Sequence, residues 1–580
     1  KMLANKLYYE GAITKEDNLA LKVKVGEGLT TSSAARTFTK ADGLTFNKTT
    51  GQADYVYTPV PEPLPSTEIK KTKTLTKDFV ASATEAHSKD DGGNPIVSAL
   101  YAGSSAYTKA NPMIVDMNGH SLKVQAESDD KLARAINLAA NSAVEIKNTA
   151  KKTLTISAIN KGTRAATGID VGANSSLKIQ GPVVIDEVRA NNLSVSAITT
   201  RGSIGQSGEV TIDGDLTVKK LEGKTTGNGS DGRNLSALHA LGGKSAITVT
   251  GNADIQNVKG SVIRVAGSTG YEAGGTVNIG GGTLSAAADA DKSKQYRVLT
   301  QQTGTVNINM NGAAAGTRKT VLKGDMYAVS EYGKKSVEYG GGSLAEYNTL
   351  GTLNVALTTA DSSWHGAMLY ETTSSKRGTG GVTNLKAADF RFHLQNGASW
   401  TNEQLSGVGD TWKGSRVTRL TGGSDAAHAG VIFQKDAKDI TIDEYRGHTK
   451  VFYRHTVNGD TATMQGGGIT INKAAAGSEI TLVTDKNDLD LASPGKRKRN
   501  LVNATLNALA GKLQYAAYKS GERYLSGKAV IADGLTASSA SLRMENITFD
   551  SSTGQGRYNY TPLSYNQTVT NFTTPVTGDA

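Results

Sequence analysis

Among the residues with chemical potential, carboxylates come first. Asp436, Asp439, Asp443 and Glu444 crowd into one short stretch. Two carboxylates cleave a glycosidic bond when they face each other across a groove at roughly 5–9.5 Å. Neighbours on alternating faces of a strand point apart, so the plainer reading is a solvated strand face. Asp485, Asp488 and Asp490 raise calcium, but Leu489 breaks the Asp-x-Asn-x-Asp order and no Gly or Glu follows where the ion needs one. Calcium is the one ion the chain suggests, and otherwise no cofactor is expected. His428, His448 and His455 are the closest of eight histidines, and their spacing suits solvated or strand-facing side chains more than an acid–base pair. No Gly-x-Ser-x-Gly elbow, P-loop or His-Glu-x-x-His occurs. The candidate ligand contacts are therefore Trp364, Trp400 and Trp412, whose faces suit sugars, and the basic run Lys496, Arg497, Lys498, Arg499, which suits an anion. Against these stand ring closure of wide coils for the tryptophans and a solvated loop for the cations.

Composition sets the frame around these residues. The 580 residues include 66 glycines and no cysteine, which excludes disulfides, thiol catalysis and cysteine-ligated zinc. The net charge of +11 comes from 64 basic and 53 acidic residues, well mixed, so no nucleic-acid footprint is expected. Aromatics amount to 6%, and Thr, Ser, Asn and Gly punctuate short β-runs, which argues against an enzyme with one large core.

The chain carries a duplication. LANKLYY, GLTTSSA and TGQADYVYTP near the start return as LAGKLQY, GLTASSA and TGQGRYNYTP near the end. Leu3, Ala4, Lys6, Leu7 and Tyr9 match Leu509, Ala510, Lys512, Leu513 and Tyr515. After a three-residue gap, Phe46, Gly51, Gln52 and Tyr55 match Phe549, Gly554, Gln555 and Tyr558. In the second copy Val502, Leu506, Leu509, Leu513 and Ala517 form one helical stripe, with Gly521 as the stop. The first copy is expected to begin inside its own helix. The expected division is a truncated spacer module at 1–60 and a proline-rich linker and entry at 61–110. A solenoid at 111–495, a second spacer of helix plus strands at 496–562 and a further linker at 563–580 complete it. The linker reading rests on Pro59, Pro61, Pro63 and Pro65, which force extended backbone.

Between the spacers, period-2 runs recur, with Val210, Ile212, Leu216 and Val218 on one face. Aliphatic pairs such as Ile136, Ile169, Ile198, Leu238 and Ile263 return every 25 to 40 residues, each followed by a glycine-containing turn. This predicts an all-β fold, a right-handed parallel β-helix whose coils bury one apolar column by stacking, flanked by small repeated α+β spacers. An array of β-sandwiches is the alternative, suggested by Asn-Gly turns at Asn118, Asn311 and Asn458.

The paired spacers resemble those of very long autotransporter (type V secretion) adhesins, and the stretch holding Trp364, Gly366, Gly397, Ala398 and Trp400 is similar to the C-proximal coils of autotransporter passengers. The resemblance covers about 115 residues of spacer, with looser Trp motifs. It implies a non-enzymatic segment on the bacterial surface that binds host or bacterial glycan or protein through loops, including those around 222–236, 264–275 and 370–381. It also implies a monomeric rod able to self-associate, held at the outer membrane by a translocator barrel outside this chain, with residues 350–480 templating the folding of the rest. A polysaccharide-degrading β-helix of tailspike or pectinase type, and a purely structural stalk, are the alternatives.

Overall fold

The computed structural model describes residues 3–562 apart from 16–18, 27–34, 39–43, 56–71, 91, 104–105, 192–193, 203–205, 225–234, 268–273, 291–293, 337–343, 373, 378–380, 408–411, 488 and 490–495. The proline-rich linker, Asp488 and Asp490 thus lie outside the described residues. The chain forms two compact units, Lys1–Glu62 and Pro63–Ala580.

The described residues are almost all β, with one α-helix, Lys496–Ala510. In the larger unit successive passes of the chain lay strands into three ladders, each pairing in parallel with the pass before and after. One pass reads Ser175–Gln180, Val183–Ala190 and Val195–Arg201. The next reads Gly208–Asp213, Leu216–Val218 and Leu235–Leu241, and each strand pairs with its counterpart. This connectivity is compatible with a β-helix or solenoid and excludes hairpin-built sandwiches for these strands.

Register explains why the alternation had to be strict. In the second ladder one inward column runs Ala81, Val124, Ile156, Ile185, Val218, Ile255, Leu284, Leu322, Trp364, Trp400, Ile432, Val451, Leu482, Ala529 without a break. The third ladder stacks Leu100, Ile136, Ile169, Ile198, Leu238, Ile263, Leu299, Met326 and Met368 in the same way. All are buried. Each Val, Ile, Leu or Met member contributes about 1.5–3 kcal/mol for leaving water, and a one-residue slip would turn the whole rung inside out. Outside, Asn354 donates to Asn307 at 2.7 Å and Asn307 to Asn278 at 2.8 Å, an amide ladder that ties register from the solvent side.

The stacking runs past 111–495 at both ends, into the expected entry segment and the second spacer. It starts at Thr72–Thr74 and Phe79–Ala83, which pair with Met113–Asp116 and Leu122–Ser128, and it runs into the second spacer. There Leu513–Tyr515 and Leu525–Ala532 form a last parallel rung on Ile469–Ala474 and Ser478–Asp485. The predicted helical stripe is corrected accordingly. The helix ends at Ala510, Leu513 turns inward in a strand opposite Ile469, and Ala517 lies in a 3-10 turn. Ser541–Phe549 then pairs antiparallel with Leu525–Ala532.

Candidate functional site

The tryptophans are corrected first, because the structure removes them from the surface. Trp364, Trp400 and Trp412 are all buried and offer no face to a sugar. Trp364 and Trp400 stack at 4.9 Å with rings parallel within 1°, and Phe392 meets both edge-on. Their indole N–H groups donate one rung back: Trp364 to the Gly324 carbonyl at 3.0 Å, Trp400 to Gly366 at 2.9 Å and Trp412 to Met368 at 3.0 Å. Gly366 is required there, because a Cβ would stand 2.2 Å from the Gly324 oxygen and 2.9 Å from the Trp364 nitrogen. Trp364 and Trp400 lie in the central apolar column, whereas Trp412 packs apart from it with Tyr327, Val329, Ala367 and Leu369.

Lys496, Arg497, Lys498 and Arg499 form the first turn of the helix and not a loop, with Lys498 and Arg499 exposed. Cations at this end oppose the helix dipole. The clustered carboxylates do not converge on a cleft; neighbouring rungs take them up. Asp443 pairs with Arg416 at 3.0 Å, Glu444 with Arg419 at 2.7 Å, and Asp439 accepts from the Gly468 amide at 2.6 Å. The histidines are also kept apart. His428 bonds Asp425 at 2.8 Å on the surface, His448 faces Glu479 at 3.8 Å, and His455 is buried against Thr484 at 2.7 Å. Among the described residues no group of acids and histidines is placed to hold a metal ion.

What the sequence did not single out is a groove of about 790 Å³ over three successive rungs. Arg189 at the end of Val183–Ala190, Lys219, Lys220 and Lys224 around Leu221–Glu222, and Lys259 after Ala246–Val258 line it, against Glu222 and Asp254. Parallel stacking creates the cluster, since residues some 35 apart in the chain become neighbours across one rung. Part of the charge is internally compensated. Lys220 lies 2.9 Å from Glu187 and 3.3 Å from Glu222, and Lys219 lies 3.0 Å from Asp186. The Lys220 ammonium holds the Glu187 carboxyl below the usual range, and Glu187 in turn raises Lys220. Gln256 donates to Asp254 at 2.6 Å, which satisfies one acid of the wall. Lys224 and Lys259 are exposed and have no ion pair among the described residues. The neighbouring loop residues 225–234, like 268–273, lie outside the described residues.

Beside the groove, the outer face of the third ladder carries a cationic row. Asp170 is buried between Arg134 at 3.0 Å and Arg201 at 2.7 Å. His239, in register with Thr199 and Arg264, has a buried Nε2 with no hydrogen-bond partner. Burial, with the Arg264 and Arg201 charges behind it, pulls its pKa down to about 3. A histidine depressed in the fold contributes stability above its unfolded pKa of about 6.5, and this is lost as pH falls from there towards 3. The wild-type chain is expected to lose about 2 kcal/mol between pH 7 and pH 4.5 through this group. His239→Leu should flatten that limb in denaturant titrations at the two pH values; an unchanged slope would assign the acid sensitivity elsewhere.

Comparison of the chain with models of known families, with curated proteins and with solved structures finds no match to any of them.

Proposed function

We propose that this chain is a non-enzymatic adhesive segment displayed on a bacterial surface, a right-handed parallel β-helical rod of the autotransporter passenger type that grips acidic glycan. The observation that carries the reading is the groove beside Lys219, Lys220, Lys224 and Lys259. It is open, polar and net basic, and rigid rungs on both sides hold it. Such a surface suits a sulfated or uronic-acid chain, whose repeating charges meet cations spaced by the strand separation of about 4.8 Å. The duplicated spacers and the long stack support a display function: they extend a surface without building a closed chamber for chemistry. Anchorage through a barrel outside this chain belongs to the same proposal.

The test is binding to immobilised heparin and to a neutral dextran control. Lys224→Glu combined with Lys259→Glu should weaken heparin binding about tenfold at 0.15 M salt. Each exposed contact is worth a few tenths of a kcal/mol to about 1, and reversal adds repulsion. Both positions are exposed, so the melting temperature should stay put. Equal binding by the variant would refute the groove, and release of reducing ends from a polysaccharide panel would refute the non-enzymatic assignment.

A further inference from the structure

The two spacer copies share their local fold down to individual hydrogen bonds. Tyr9 N–H donates to the Gly51 carbonyl at 2.8 Å, and Tyr515 N–H to Gly554 at 2.8 Å. Gln52 Nε2 donates to the Leu7 carbonyl at 2.8 Å, and Gln555 Nε2 to Leu513 at 2.9 Å. Gly51 and Gly554 turn with φ of 68° and 74°. Val23–Gly26 pairs antiparallel with Ala35–Phe38, as Leu525–Ala532 does with Ser541–Phe549.

Their surroundings differ. In the second copy Leu513–Tyr515 and Leu525–Ala532 lie on the preceding rung, and the helix covers its end. In the first copy no rung pairs with the matching strands among the described residues of its own unit. Leu3 is 58% exposed where Leu509 is 0%, Leu7 is 39% where Leu513 is 0%, and Val25 is 61% where Ile531 is 0%. Exposed aliphatics next to unpaired strand edges mark a surface built to be covered.

We infer that the first module is a docking face for the open end of a parallel β-coil stack. Its occupant is a rung of the chemistry of Ile469–Ala474 and Ser478–Asp485, with a helix like Lys496–Ala510 laid over it. In the second copy the matching Leu509, Leu513 and Ile531 are buried in one core with Ile469, Ile480 and Leu506 of that rung and helix. Leu7 and Tyr9 would pair with the first strand of the rung and Val23–Gly26 with the second. Leu3 would enter the apolar layer under the helix. This inference is independent of what the groove binds.

Because Lys1 corresponds to Asn507, residues 63–506 can be joined directly ahead of Lys1 of the full 580-residue chain. Hydrogen exchange in this fusion should show the amides of Leu7, Tyr9 and Val25 slowed at least about a hundredfold relative to the 580-residue chain. They would then match Leu513, Tyr515 and Ile531 of the same molecule. Fast exchange at those sites, with the added rungs themselves protected, would overturn the inference. Should the fusion fail to fold, the 580-residue chain still decides. Leu3→Ser with Leu7→Ser should leave its melting profile unchanged, whereas Leu509→Ser with Leu513→Ser lowers it by several degrees. A first-copy pair as damaging as the second, or protection of Leu7 that appears with concentration as a dimer, would show that the face already has another occupant.

Discussion

Trp400→Ala is expected to destabilise the coils around it by about 3–5 kcal/mol, the range for removing a large buried ring. Three losses coincide at this side chain. The indole forfeits its parallel stack on Trp364 and its edge contact with Phe392 at 5.7 Å. The Gly366 carbonyl loses the donor that satisfied it at 2.9 Å. The cavity lies between Trp364 and Ile432, where strands above and below fix the backbone and limit collapse. Denaturant titration followed by the two remaining tryptophans should show a lowered midpoint, and hydrogen exchange should localise the loosening to residues 389–453. Trp400→Phe should recover part of the loss but not the Gly366 bond. A cost below about 1 kcal/mol for the alanine variant would mean that neighbouring rungs close over the gap and that the rings are replaceable filling.

Asp325→Ala should have an effect of similar size for a different reason. This carboxylate is buried at the head of the strand Asp325–Ser336 and accepts from the amides of Ala367 at 2.8 Å, Leu405 at 2.9 Å and Ser406 at 2.5 Å, and from the Ser406 hydroxyl at 2.7 Å. Burial pushes its pKa up while these four donors pull it back. Alanine would leave several buried donors without an acceptor, at about 1–3 kcal/mol for each that water cannot reach, so a total of at least 3 kcal/mol is expected. Arg297, whose Nη2 holds the Gly407 carbonyl at 2.5 Å beside this network, would lose the ordered segment it grips. The measurement is thermal unfolding together with exchange at Leu405 and Ser406. Asp325→Asn should also lose, because its amide presents donors to donors. If the asparagine variant were as stable as wild type, the carboxylate would be dispensable as an acceptor.

Much of the fold was readable because alternation in a stack has one solution. Val210 and Ile212 point the same way in any strand, and the recurrence of Ile136, Ile169 and Ile198 set the repeat. The limits of the stack were not readable. Thr72–Thr74 is polar and exposed, and only its pairing with Ile114, Val115 and Asp116 makes it a rung. Leu513 fits the helical stripe by spacing, yet Gly511 and the waiting edge at Ile469 draw it into a strand. The site was less visible still. Lys219, Lys220 and Lys259 look like ordinary surface charges until two neighbouring rungs bring them side by side, and Asp325 finds its donors at Leu405 and Ser406, some 80 residues later. The tryptophans were read from their faces, whereas their edges and N–H groups decide where they sit.

The inter-rung ladders also carry a mechanical consequence. Their hydrogen bonds run along the direction in which the coils pile up, so a pull at the two ends of the larger unit loads one row at a time and peels it from its neighbour. The molecule should then lengthen in steps of one coil, each step dissipating force.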